Sequence, residues 1–253
     1  DTGTADWFLG KNTQKQDQDR RAPRKEDIDQ LVVPALLEAL HTETNNDIIT
    51  GCLMALAKIG DSTGEDGSSR FHQEFVAFLS DSNAEIRETA ALAIGILGND
   101  SGLETLKALA MDDPTGRELV GGGEIDRRTR TFATFGLGMI ARQSAHDEVR
   151  AEVFATLTGL LDGKSSATRD IEVACINALG LFQMDTIGGT LETEGQVESA
   201  SLHGQADYLL AFLMDEGRND FSRAHCPAAL ARMFEARGSD LGELWRERIL
   251  SAL

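Results

Sequence analysis

Ile86-Arg87-Glu88-Thr89-Ala90-Ala91-Leu92-Ala93-Ile94-Gly95-Ile96-Leu97-Gly98 decides the fold, because its pattern of small and large residues recurs along the chain. Copies set in register at residues 48, 86, 129, 171 and 222 place Cys52, Ala90, Ala133, Cys175 and Cys226 at the fifth position. Ala55, Ala93, Gly136, Ala178 and Ala229 stand at the eighth, and Leu56, Ile94, Leu137, Leu179 and Leu230 at the ninth. The tenth position is again small (Ala57, Gly95, Gly138, Gly180, Ala231), and the twelfth is large (Ile59, Leu97, Ile140, Phe182, Met233). Spacings of three and four residues put these side chains on one helix face. Small residues on that face let a neighbouring helix axis come close.

The register starts lie 38, 43, 42 and 51 residues apart, close to the ~40–47 residue period of two-helix repeats. Residues 86–98 resemble the second-helix signature of the HEAT-repeat family, V-R-x-x-A-A-x-A-L-G-x-L-G, almost letter for letter. The proline that such repeats tend to carry in the first helix is matched by Pro34 in Val33-Pro34-Ala35-Leu36-Leu37. Their Asp six residues before the signature Arg is matched by Asp81 and Arg87. Repeat three offers Glu124 with Arg130, and repeats one and four lack the Arg. The resemblance implies an all-α, right-handed α-solenoid of about five helix pairs plus a C-terminal helix. The fold is a general binding scaffold, so it says little about function.

Composition narrows the partner class. A formal net charge of −18 argues against nucleic acid, whose binding depends on neutralising phosphates. Anionic membrane surfaces are disfavoured for the same reason. No run approaches ~18 uninterrupted apolar residues, so no membrane insertion is expected. A protein or peptide partner, possibly a basic one, fits better, although acidity also keeps an elongated surface soluble. All three cysteines occupy the same close-packing position, which explains them without disulfides or metal. The chain begins at Asp1 rather than Met, which leaves a removed leader or upstream domain open and the compartment unassigned.

Two segments are expected: residues 1–27, an N-terminal stretch and polar linker, and residues 28–253, the repeat array. Trp7 and Phe8 are candidates to cap the first repeat. The first helix of repeat one is expected to bury Leu31, Ala35, Leu36 and Leu40 and to bend at Pro34. Asp61, Thr63 and Glu65 alternate as in a calcium loop, but Asp66 stands where that loop needs Gly and His72 where it needs Glu. Residues 185–201 contain no Lys or Arg and read as a mobile acidic loop. Pro227 requires repeat five's second helix to start late or kink, and residues 240–253 read as one further amphipathic helix.

Chemistry is sparse. Gly163-Lys164-Ser165 has Thr158 where a phosphate loop needs Gly, and a helix rather than a strand precedes it. No two of His41, His72, His146, His203 and His225 share the i, i+4 spacing of a helical zinc site. No catalytic residue, metal ligand or cofactor is assigned. The expectation is a non-enzyme, a scaffold binding on its concave second-helix face or its insertions. The alternatives are a spacer fragment of a larger protein and an enzyme-associated domain holding a small ligand, like the bilin lyases these repeats distantly resemble. The insertion at residues 112–124 is the strongest candidate feature, since loops longer than ~12 residues inside compact units are usually functional or disordered. It reads either as an inert edge loop or as a mobile arm carrying Leu119 and Val120 as apolar contacts, and Arg127, Arg128 and Arg130 beside it either meet a partner carboxylate or pair with Glu118, Glu124 and Asp126.

Overall fold

In the computed structural model, residues 24–61, 69–163, 168–184, 200–234 and 239–252 are described, and none of them forms a strand. Trp7, Phe8, Thr63, Glu65, Lys164, Ser165 and the acidic stretch 185–199 lie outside the described residues. The chain divides into two compact units, residues 1–43 and 44–253.

In the first unit, a short turn Lys25–Asp27 leads through a π-helical turn, Ile28–Val32, into helix α1, Val33–Thr42. Pro34 has no N–H to return to the carbonyl of Gln30, and a widened turn just upstream accommodates that loss. The wide turn also shifts the buried face. Val33, Leu37 and Leu40 are buried, whereas Leu31 is 68% exposed, so the stripe expected through Leu31 and Ala35 is corrected to one that starts at Val33.

The second unit is an all-α solenoid of stacked helix pairs. Its elements are α2 (Asn46–Ile59), α3 (Arg70–Ala77), α4 (Ala84–Leu97), α5 (Leu103–Met111), α6 (Pro114–Leu119) and α7 (Arg127–Gln143). They continue with α8 (Asp147–Asp162), α9 (Arg169–Leu179), α10 (Leu202–Met214), α11 (Asp220–Arg223), α12 (Cys226–Phe234) and α13 (Ser239–Ala252). Helices α2, α4, α7, α9 and α12 carry the register and stack in that order. Four of these second helices begin alike. Asn45, Asn83, Asp126 and Asn219 each stand three residues before the register start and accept two backbone N–H groups of the first turn. The break between α11 and α12 answers Pro227: the second helix of repeat five restarts at Cys226, with Pro227 in its first turn, where a missing N–H costs nothing.

Packing follows the small positions. The fifth-position residues Cys52, Ala90, Ala133, Cys175 and Cys226 are all buried. The tenth position of one repeat sits on the eighth position of the next. A methyl group on Gly95 would lie 2.4 Å from Gly136 Cα, one on Gly138 2.7 Å from Ala178 Cα, and one on Gly180 2.6 Å from Ala229 Cα. Three successive interfaces are therefore backbone-to-backbone contacts that only glycine at the tenth position permits. Helix α13 closes against α10 and α12 through Trp245, which is fully buried and stacked on Phe234 with ring centroids 5.6 Å apart.

Candidate partner-binding face

The insertion of repeat three is a docked helix. Asp112 turns the chain out of α5 in the left-handed region (φ 56°), and Asp113 caps α6 by accepting from Gly116 N at 2.8 Å. Pro114 follows at the first helical position, where its fixed φ suits the helix. Helix α6 packs chiefly on α5, so closely that a methyl group on Gly116 would be 2.3 Å from the Ala108 carbonyl oxygen. Arg117 forks onto Asp112 at 3.0 and 2.6 Å, and Asp112 also accepts from Ile125 N at 2.9 Å. The Arg117 hydrogen bond is the main reason the Asp112 carboxyl is held below its ordinary range. Gly121, Gly122 and Gly123, all at positive φ and open to solvent, carry the chain back to α7. The expected mobile arm is thus corrected to a short helix pinned at both ends, with an exposed glycine turn behind it.

Leu119 closes α6 and Val120 follows it; both are half-buried. The three arginines diverge. Arg127 is 60% exposed and reaches Asp170 of the next repeat at 3.3 Å. Arg128 is 69% exposed and reaches back to the buried Glu88 of the preceding repeat at 2.9 Å. Burial pushes the Glu88 carboxyl up, and Arg128 opposes that rise. Arg130 is a different case, corrected here as a contact residue: it is 7% exposed, and its Nε donates to the Ala110 carbonyl at 3.1 Å, at the end of α5.

Arg130 shares that role with two other second-position arginines. Arg87 donates to the Asp81 carbonyl at 2.7 Å and Arg223 to the Leu213 carbonyl at 2.7 Å, so each caps the end of its repeat's first helix. Arg87 thus meets Asp81, six residues before it, through the backbone carbonyl. A polar ladder then runs between repeats along the N-terminal ends of the second helices. It consists of Arg87 with Asp126 at 3.7 Å, Arg128 with Glu88, Arg127 with Asp170, and Ser222 donating to Glu172 at 2.6 Å. Arg169 extends it by stacking over the exposed Phe221 ring at 5.0 Å. Sequence reasoning missed Glu88 and Asp170 as partners and set Asp126 against the neighbouring arginines instead of Arg87, since acidic residues abound and their spacing to the arginines follows only from stacking.

Burial works against thiolate formation at Cys175 and Cys226. Cys175 is fully buried and its thiol is pushed up by desolvation, and Cys226 is pushed up to about 12 for the same reason. Among the described residues, no cluster of His, Cys, Asp and Glu could hold a metal ion, and no helix is long and apolar enough to cross a membrane.

A family model described as HEAT repeats matches residues 33–119, the stretch that contains the cleanest register copy. Residues 33–119 are thus similar to HEAT repeats. A search of curated protein sequences finds no match to it. Among solved structures, the chain is similar to one in the complex of CpcE and CpcF of phycocyanin lyase from Nostoc sp. PCC7120, at 17% identity and a TM-score of 0.48, over 78% of this chain and 97% of that one. That finding corrects the expectation of a non-enzyme, since a similar HEAT-repeat chain belongs to a lyase assembly. At this level of similarity no activity, ligand or partner transfers to the present chain.

Proposed function

We propose that this HEAT-repeat scaffold recognises a protein or peptide on the face formed by α6, the glycine turn and the N-terminal end of α7. The observation that carries the reading is α6 itself, a helix added to repeat three that packs chiefly on α5 and takes no position in the register that stacks the repeats. An element outside the stack is free to serve recognition, as binding residues on loops served by a rigid scaffold do. Leu119 and Val120 supply half-buried apolar contact there, and the exposed Arg127 and Arg128 offer planar donors to a partner carboxylate in place of Asp170 and Glu88. The net charge of −18 favours a partner that is basic overall and steers its approach.

The test is calorimetric. A partner isolated from the native source by cross-linking is titrated against the wild type, Val120→Glu and the double variant Arg127→Glu/Arg128→Glu. Each variant is expected to weaken binding by at least about tenfold. Wild-type affinity in both would move recognition off this face.

A further inference from the structure

Helix α7 stands in the middle of the stack and is engaged on three of its sides. Gly136 sits on Gly95 of α4, Gly138 sits on Ala178 of α9, and Arg130 reaches behind to the Ala110 carbonyl at the end of α5. The fourth side carries Arg128, Phe132, Phe135, Met139 and Arg142, whose spacings of four, three, four and three residues make one row along the helix. Phe132, Phe135 and Met139 are half-buried, and Arg128 and Arg142 are exposed. Neighbouring repeats widen the row at its own register positions, since Leu92 and Ile96 of α4 and Leu181, just past α9, are half-buried as well. The 17 residues of α7 include four arginines and no Asp or Glu, in a chain of net charge −18. An apolar strip with a cation at each end therefore lies open on a helix whose flanks are both covered.

We infer that this row binds an amphipathic helix of a protein partner, one that presents large apolar residues between two carboxylates. Backbone chemistry selects a helix: the N–H and C=O groups of α7 are used within α7, so an extended segment would find no main-chain partners there, whereas a helix satisfies its own. Spacing agrees, because an apolar stripe at intervals of three and four residues is what an amphipathic helix offers. Charge fixes the ends. Arg128 and Arg142 stand about 21 Å apart along α7 at the helical rise per residue, a distance that a partner helix of about fifteen residues spans. Arg128 already meets Glu88 at 2.9 Å, yet its side chain is 69% exposed and its guanidinium carries five donors, so it can take a second carboxylate. The inference rests on the scaffold reading for its protein partner, and it carries the contact from the N-terminal end of α7 along the open side of that helix.

The probe is a fluorescein-labelled helical peptide of Ala and Gln that copies the four-three-four-three spacing, with Glu at both ends of the row and Leu at the three positions between. Fluorescence anisotropy against the full chain is expected to show saturable binding. A control peptide with Lys in place of both Glu residues is expected to bind at least about tenfold more weakly, and so is the original peptide to Arg142→Glu or Phe135→Glu. Arg142 is exposed, so its replacement leaves the fold intact, which circular dichroism checks; Phe135→Glu attacks the apolar strip independently. Absence of saturable binding, or binding indifferent both to Arg142→Glu and to the exchange of Glu for Lys, overturns the inference. A concentration-dependent dimer in sedimentation, abolished by Arg142→Glu, also overturns it, because a second copy would then cover the row. Val120→Glu is expected to leave peptide binding unchanged. The peptide thus reports on the α7 row, and the isolated partner titrated against Val120→Glu reports on the α6 face, so either reading can fail without the other.

Discussion

Gly138 lies against Ala178 so closely that a methyl group on the glycine would stand 2.7 Å from the Ala178 α-carbon and 2.8 Å from its β-carbon. Neither atom belongs to a flexible side chain, so relief requires the two helices to separate. Gly138→Ala is expected to destabilise the chain by about 1–3 kcal/mol through overpacking. Gly51 is the internal control, since it is exposed within α2 with nothing near its would-be β-carbon. Gly51→Ala is expected to stabilise by roughly 0.5–1 kcal/mol through helix propensity. Urea denaturation of the two variants measures both, and the same sign for both would contradict the stacking geometry.

The arginines beside the insertion separate by burial. Arg130 is spent on the end of α5, and Arg130→Ala is expected to cost about 1–3 kcal/mol, since it removes a charge-assisted bond and leaves the buried Ala110 carbonyl without its donor. Arg127→Ala removes an exposed pair with Asp170 and is expected to change stability by less than about 0.5 kcal/mol. Chemical denaturation of the pair decides it. Equal losses would show that the two side chains share one role.

The repeat register was legible because its signal is steric: small and large residues in phase marked which helix faces pack, whereas the seating of Gly95 on Gly136 emerges only from the structure. A second signal stood in the sequence unread, the Asn45, Asn83, Asp126 and Asn219 caps three residues before each start. Helix α6 was harder, because Pro-Thr-Gly-Arg-Glu-Leu has no apolar period and carries a central glycine. Its Asp113-Pro114 start was nonetheless a cap followed by a first-turn proline. The fate of Arg130 was not legible at all, since its acceptor is a backbone carbonyl twenty residues earlier in the chain.

Histidine 72 makes stability depend on pH. It is half-buried, its Nε2 lies 3.2 Å from Thr105 Oγ1, and burial holds its pKa below the ordinary 6.5, with Asp61 opposing. The unfolded chain then takes up a proton as pH falls through 6.5, while the folded chain resists until its lower value is reached. In that window the unfolded state binds more protons, so stability falls as pH falls. His72→Gln, which keeps a polar group toward Thr105, is expected to flatten the decline in melting temperature below pH 6.5. An unchanged decline would assign it to other groups, such as His203, whose pKa burial also lowers.

Helix α6 is seated by one glycine. Gly116→Val would drive a side chain into the Ala108 carbonyl, 2.3 Å from the first added carbon, and that backbone cannot yield without disturbing α5. The cheaper response is for α6 to lift, because it packs chiefly on α5 while α5 is also held by α7. Amide hydrogen exchange is expected to accelerate across residues 113–124 while the amides of α7 and α9 keep their protection. The bond from Ile125 N to Asp112 would loosen with it, so protection at Ile125 reports the same event. If α6 forms the recognition face, this variant also loses partner affinity with its repeat stack intact. Wild-type exchange across 113–124 would mean that the glycine contact does not hold the helix down.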